Sequence, residues 1–262
     1  MVNTIAISQA RVTEHNFVAP NIKRLALQAP GIARQAQPGQ FVNMRCSPTL
    51  DPLLRRPFSI NRIDPTSGTI SVLYKVVGRG TELLANIHRG DSIDVLGPLG
   101  TGFELKPQGR KVVLIAGGIG VAPFHPLAEQ LVNTGYDVTC LAGARCDEEF
   151  AELNDLAELG VEMYCATEDG SRGEQGRVTN LLENTLHKRN FDMAYACGPN
   201  AMLAAIKQIC GRAQLPLQLS LEEIMACGLG VCLGCTCEKE KENGFLHVCT
   251  DGPVVWAEEV KL

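Results

Sequence analysis

The chain has 262 residues, 24 Lys and Arg against 29 Asp and Glu, and a formal net charge of -5. That balance argues against a nucleic-acid partner, whose phosphates call for a basic patch. No apolar run approaches the ~20 residues of a membrane span, and MVNTIAISQARVTEHNF lacks the basic start, apolar stretch and cleavage site of a signal peptide, so a cytoplasmic protein is expected. At 45% hydrophobic residues, a chain of this length can build two compact domains or one large one.

Residues 1–103 read as short strands between turns. FVNMRC (41–46), TISVLYKVV (69–77) and SIDVLGPLG (92–100) are β-rich, and PGQ, DPTSG and HRGD supply turn chemistry. Strands at this spacing without long helical patterns predict a small antiparallel β-barrel. From Lys111 the rhythm changes to strictly alternating strands and helices. KVVLIAGG, YDVTCLAGA, VEMYCATED and FDMAYACGP read as strands; APFHPLAEQLVNTG, EEFAELNDLAELG, VTNLLENTL and NAMLAAIKQICGRA read as helices. That alternation predicts an α/β domain over 104–216, with a parallel sheet covered on both faces. LPLQLSLEE (215–223) can add a strand. The remainder of 217–262 is cysteine-rich and too short for a core of its own without a metal staple.

Five of the 11 cysteines fall in the last 36 residues. In a reducing compartment, clustered thiols point to metal rather than disulfides. Cys46, Cys140, Cys146, Cys165, Cys197 and Cys210 are dispersed and read as structural thiols. Cys227, Cys232 and Cys235 form C-x4-C-x2-C, and Cys249 follows after thirteen residues. This is the spacing of plant-type [2Fe–2S] ligation, with Gly228, Gly230 and Gly234 letting the backbone curl round the cluster and turn N–H groups to its sulfurs. A structural zinc site is the competing reading of four thiolates, although zinc more often uses two C-x2–4-C knuckles. Cys237, with one residue between it and Cys235, breaks this pattern and is expected to be a non-ligand.

VLIAGGIGVAPF places Gly117, Gly118 and Gly120 at a strand-to-helix turn, where backbone and helix N-terminus can meet a pyrophosphate. A tight structural turn explains the same glycines. ACGPNAML puts Cys197, Gly198 and Pro199 at a second such turn, at the carboxyl end of a later strand. In the barrel half, LLRRPFSI offers Arg56 to a phosphate and the hydroxyl of Ser59. LYKVVGRGT offers Tyr74 for stacking, then Gly80 and Thr81 for close approach to phosphate. Arg145 could meet a nucleotide 2′-phosphate, but Asp147, Glu148 and Glu149 follow and repel one, which favours NAD over NADP.

Arg56-Pro57-Phe58-Ser59, Gly80-Thr81, GGIGVAP and CGPNAML occur in the order seen in the ferredoxin–NADP reductase superfamily. With ATEDGSRGEQGRVT and LEEIMACGLGVCLGCTC…HVCTDGPVV added, the whole chain resembles the electron-transfer subunits of dihydroorotate dehydrogenase B. The resemblance implies an FAD barrel (1–103), an NAD-binding domain (104–216) and a [2Fe–2S] module (217–262). It implies FAD on Arg56, Pro57, Phe58, Ser59, Leu73, Tyr74, Lys75, Gly80 and Thr81. The nicotinamide nucleotide would lie on Gly117, Gly118, Gly120, Cys197, Gly198 and Pro199, and the cluster on Cys227, Cys232, Cys235 and Cys249. Cys197 could lie near the nicotinamide ring, and a buried strand-end thiol accounts for it equally well. The resemblance further implies an FMN-containing (β/α)8 catalytic subunit, two of each chain in a heterotetramer, and electrons passing from FMN through cluster and FAD to NAD⁺ in pyrimidine biosynthesis. No acid–base catalytic residue is expected, since hydride transfer from a flavin needs mainly alignment. The reductase subunits of ferredoxin:NAD(P) or sulfide-linked oxidoreductases are related, but are expected to carry an acidic ligand where this chain has a fourth cysteine. A zinc-stabilised nucleotide-binding regulator is the alternative outside enzymes.

Overall fold

The structure, a computed structural model, describes residues 5–105, 109–241 and 243–262. Its first half is a closed barrel of β1 (Ala6–Ala19), β2 (Ile22–Gln28), β3 (Phe41–Met44), β4 (Arg56–Asp64), β5 (Thr69–Lys75) and β6 (Ser92–Leu99), in the order β1-β2-β5-β4-β3-β6 with every pair antiparallel. Closure removes the free sheet edges. The inward side chains, among them Leu25, Val42, Ile60, Val72 and Val95, form a core without solvent contact. Two short helices plug this half: α1 (Pro30–Ala33), opening on a proline, and α2 (Arg79–Ala85).

The second half is a seven-stranded sheet. Here β7 (Lys111–Gly117), β8 (Asp137–Ala144), β9 (Glu162–Thr167), β10 (Glu174–Gln175), β11 (Met193–Cys197) and β12 (Leu217–Ser220) run parallel. The order is β10-β9-β8-β7-β11-β12-β15, and β15 (Val254–Trp256) closes the edge antiparallel to β12. The central strands read VVLIA and AYAC because helices cover both faces. Those helices are α3 (Phe124–Asn133), α4 (Leu153–Glu158), α5 (Val178–Leu186) and α6 (Asn200–Arg212). The sheet therefore continues past residue 216, and the tail is anchored by its own last strand. Between these anchors the tail carries a two-stranded ribbon of β13 (Thr236–Glu238) and β14 (Phe245–His247).

The two halves are locked together by charge. Arg24 on β2 and Arg62 on β4 reach Glu152 and Asp155 at the start of α4: Arg24 Nη1 lies 2.8 Å from Glu152 Oε1, and Arg62 pairs with Asp155. Arg62 Nη1 also donates to His125 Nε2 at 2.9 Å, which holds that ring neutral as an acceptor. Burial, then the Arg62 charge, lower the His125 pKa to about 4. Because the folded value lies below the unfolded ~6.5, the unfolded chain binds more protons between pH 6.5 and 4, and stability falls as pH drops through that window. Acid unfolding monitored by tryptophan fluorescence should therefore begin at a higher pH in wild type than in His125→Gln, whose side chain does not titrate.

Candidate functional site: a flavin cavity, a nucleotide cleft and four paired thiols

Two cavities meet where the halves join. The first, of about 570 Å³, is lined by Pro57, Phe58 and Ser59 of β4 and by Leu73, Tyr74 and Lys75 of β5. Thr81 is also in its wall, but its hydroxyl accepts the N–H groups of Val77 and Gly78 at 3.0 and 3.1 Å and so caps α2. Arg56 packs across Gly80: a Cβ there would stand 3.1 Å from Arg56 Nε. A guanidinium is thus brought to the backbone of the Gly78–Thr81 turn, a setting suited to a pyrophosphate. Tyr74 stands beside Phe58, ring centroids 5.7 Å apart. Its hydroxyl donates to His15 Nε2 at 2.8 Å while His15 Nδ1 donates to the Ile87 carbonyl. Burial lowers the His15 pKa, keeping the ring neutral and the tyrosine fixed. Seven of the nine barrel positions expected from the sequence therefore line one cavity, and Arg56 and Gly80, absent from its wall, pack against each other next to Pro57 and Thr81 in the chain.

The second cavity, of about 630 Å³, opens at the carboxyl ends of the parallel strands. Gly117 ends β7 with Gly118 and Gly120 just after it, Gly143 and Ala144 end β8 with Arg145 just beyond, and Gly198 and Pro199 follow β11. These are the strand ends at which open parallel sheets bind ligands. Gly120 is required by packing, since a Cβ would overlap the Cys197 carbonyl. Cys197 itself has no solvent exposure and is absent from the cavity wall, so its backbone shapes the turn while its thiol stays in the core. Burial accordingly pushes that thiol up, beyond any ionisation near neutrality.

Lys75, Ile119 and Glu222 line both cavities. A ring in the first and a ring in the second would therefore meet across a shared wall. Glu222 faces the cavity space but is crowded by protein on its other sides, which raises its pKa. Glu222 belongs to Leu221–Met225, a segment that leaves β12, walls the flavin cavity and leads into Cys227. The expected site lacked this segment. Its only signal in the sequence is its place between a strand end and the first ligand cysteine.

The four cysteines are drawn together in two pairs, Cys227 with Cys232 and Cys235 with Cys249, each pair close enough for thiol–thiol hydrogen bonding. Backbone N–H groups converge on them. Leu229 N and Cys232 N lie 3.3 and 3.4 Å from Cys227 Sγ, Gly230 N 3.2 Å from Cys249 Sγ, and Cys249 N 3.4 Å from Cys235 Sγ. Burial opposes ionisation of Cys227, but hydrogen bonds from the N–H groups of Leu229 and Cys232, the Cys232 thiol and the Val231 N–H outweigh it and lower its pKa to about 6. In contrast, burial and the adjacent Cys235 push Cys249 up to about 12. Among the described residues, no three His, Cys, Asp or Glu side chains converge as ligands of one metal ion. Two thiols on each side of a sulfur-rich nest fit a binuclear cluster. Cys237 lies apart, its Sγ directed to Glu223 Oε1 at 3.6 Å.

A flavin-type barrel, a nucleotide cleft at parallel strand ends and a four-thiol nest define a flavin- and iron–sulfur-dependent, NAD-linked oxidoreductase. The chain matches three family models: an oxidoreductase FAD-binding domain over residues 9–103, an oxidoreductase NAD-binding domain over 114–208, and the iron–sulfur cluster binding domain of dihydroorotate dehydrogenase B over 222–261. It is 41% identical over 257 residues to the dihydroorotate dehydrogenase B (NAD(+)) electron transfer subunit of Desulforamulus reducens, covering 95% of each chain. It is 43% identical to that of a Geobacillus species, covering 97% of this chain and 98% of the relative. Among solved structures, an NADH-dependent reduced ferredoxin-NADP oxidoreductase aligns with TM-score 0.88 and 29% identity, over 97% of this chain and 90% of that one. A ferredoxin NADP+ reductase from Neisseria gonorrhoeae shares the fold alone, at TM-score 0.68 and 21% identity over 79% of this chain and 91% of that one. The chain belongs to the family of dihydroorotate dehydrogenase B electron transfer subunits, and binds FAD, NAD and an iron–sulfur cluster.

Proposed function

We propose that this chain passes electrons from an FMN-containing (β/α)8 catalytic subunit, which oxidises dihydroorotate to orotate, to NAD⁺, in a cytoplasmic assembly of two copies of each chain. The observation that carries this reading is continuity: Leu221–Met225 joins the thiol nest to the flavin cavity, and Lys75, Ile119 and Glu222 join that cavity to the nucleotide cleft. When bound, the cluster supplies one-electron chemistry and FAD converts it to the two-electron chemistry of NAD⁺. The chain's own residues bind and align. Arg56 and the Gly78–Thr81 turn would hold the FAD pyrophosphate, Tyr74 and Phe58 would fix the ring, and Gly117–Gly120 would admit the nucleotide. Cys227, Cys232, Cys235 and Cys249 would hold the cluster.

The surface at the nest supports a protein partner. Val231 and Leu233, between the ligand cysteines, are 78% and 58% exposed, and Ile224 just before them is 85% exposed. Apolar side chains clustered in water mark a protein contact. Val231→Asp is expected to weaken association with the catalytic subunit and slow dihydroorotate-driven NAD⁺ reduction, read by co-purification and NADH absorbance. The function itself is tested by mixing the two chains anaerobically with dihydroorotate and NAD⁺. NADH should form only when both are present; formation by the partner alone contradicts the assignment.

NAD is the expected nucleotide because Arg145 is already taken. Its guanidinium pairs with Glu149 in the wall of the nucleotide cleft, and Lys75 lies 3.8 Å from the same carboxylate. Glu149 therefore neutralises the cations and repels a 2′-phosphate. Glu149→Gln should raise kcat/KM for NADPH about tenfold, roughly one charge-assisted hydrogen bond, with little change for NADH. Steady-state assays with an artificial acceptor check it.

A further inference from the structure

Asn43 stands in an otherwise apolar strand, β3, with 0% exposure. Neither its Nδ2 nor its Oδ1 has a hydrogen-bond partner among the described residues, although its backbone carbonyl accepts from Arg55 at 3.3 Å. A buried amide with both ends unpaired weighs against folding, and a leucine would fill the same space without that penalty. Its surroundings indicate what the amide awaits. Phe41, two residues earlier on the same face, and Pro57, opposite it on β4, line the flavin cavity, yet Asn43 does not. Its side chain turns instead to the cysteine loop: a Cβ on Gly228 would stand 2.9 Å from Asn43 Nδ2. Gly228 immediately follows Cys227 and holds φ +71, so the backbone passes the amide at a position where a side chain would be both strained and blocked.

We propose that the Asn43 carboxamide is a hydrogen-bond donor from the barrel to the sulfur of the [2Fe–2S] site beside Cys227, and so a positioning and potential-tuning residue for electron transfer between cluster and flavin. This rests on the cysteine assignment above and extends it. The N–H donors seen at Cys227, Cys235 and Cys249 come from the tail itself, whereas Asn43 would bring one from the flavin barrel, tying the two redox sites into one rigid unit. Sulfur in such a site is acceptor-only, which selects Nδ2 as the end facing the loop. Donation to sulfur favours the reduced, more negative cluster and raises its potential.

The test is an EPR-monitored redox titration of the complete protein, with iron, sulfide and FAD content measured alongside. In Asn43→Leu the cluster's reduction equilibrium should shift about tenfold against reduction, about 59 mV for one electron, with the flavin potential unmoved. Asn43→Met, of similar length and likewise without an N–H or O–H donor, should shift it about as far. If either variant keeps its iron and a wild-type cluster potential, or shifts only the flavin, the proposal is wrong. If both variants lose iron but keep FAD, the amide is needed to hold the cluster, which supports it. Loss of iron and FAD together shows a packing role and overturns it. Absence of iron and sulfide from the wild-type protein would instead refute the cysteine assignment itself.

Discussion

Cys249→Ser should abolish the [2Fe–2S] spectrum, while Cys237→Ser leaves it intact. The two residues differ in what their sulfurs face. Cys249 Sγ receives the Gly230 N–H at 3.2 Å and lies against Cys235, on the side of the nest opposite Cys227 and Cys232. Removing it leaves one side with a single thiolate, and serine is a poor ligand for a soft sulfide-bridged iron. Cys237 projects from β13 toward Glu223 Oε1 at 3.6 Å. Burial, then Glu223, push its thiol up to about 11. Visible absorbance and iron content of the two purified variants decide the matter. Cys249→Ser should lose essentially all iron, while both variants retain FAD, because the flavin cavity is built from β4, β5 and Leu221–Met225.

Gly120→Ala should be strongly damaging to the nucleotide half. The new Cβ would overlap the carbonyl of Cys197, a backbone atom held in the sheet between β7 and β12 and unable to swing aside. Overpacking against fixed backbone costs about 1–3 kcal/mol. Relieving it must push the Gly117–Val121 turn away from β11, which opens the cleft where the nucleotide pyrophosphate would lie. Thermal unfolding should show the loss of stability, and titration with NADH should show affinity at least tenfold weaker. At Gly211 on α6 a Cβ would meet no neighbour within 4 Å, so Gly211→Ala is the matched control, which should leave NADH affinity unchanged and stability the same or slightly higher.

The parts legible from sequence were those written in local patterns. The apolar strands VVLIA and AYAC, the glycines that end them and the C-x4-C-x2-C spacing each encode their role within a dozen residues. The barrel, cleft and thiol nest appear where those patterns placed them. What escaped was set by distant contacts. EEFAELNDLAELG reads as one helix over 148–160, but the chain forms a short 3-10 turn, breaks, and resumes as α4 only at Leu153. Glu152 takes a φ of +54 at that break, with its carboxylate 5% exposed between Arg24 and Arg62 of the barrel. Interdomain charge overrides helix propensity there. The long strand β1 also went unread, because bulges near Val12 and Phe17 disturb the alternation that marks a strand. β15 pairs with β12 through three residues nearly forty positions away, a register no local signal announces. His15 and His125 share no motif, and only the fold shows one buttressing Tyr74 and the other accepting from Arg62. Asn43 is likewise one polar letter in an apolar strand until the cysteine loop folds over it.

The central claim is that this one chain connects a nicotinamide nucleotide, a flavin and a four-cysteine [2Fe–2S] centre. Its most direct test is the EPR spectrum of the purified protein after anaerobic addition of NADH. The flavin should bleach together with the appearance of the S = 1/2 signal of one reduced [2Fe–2S] cluster per FAD. Bleached flavin with no paramagnetic iron, in a protein that carries zinc on its cysteines, would contradict it.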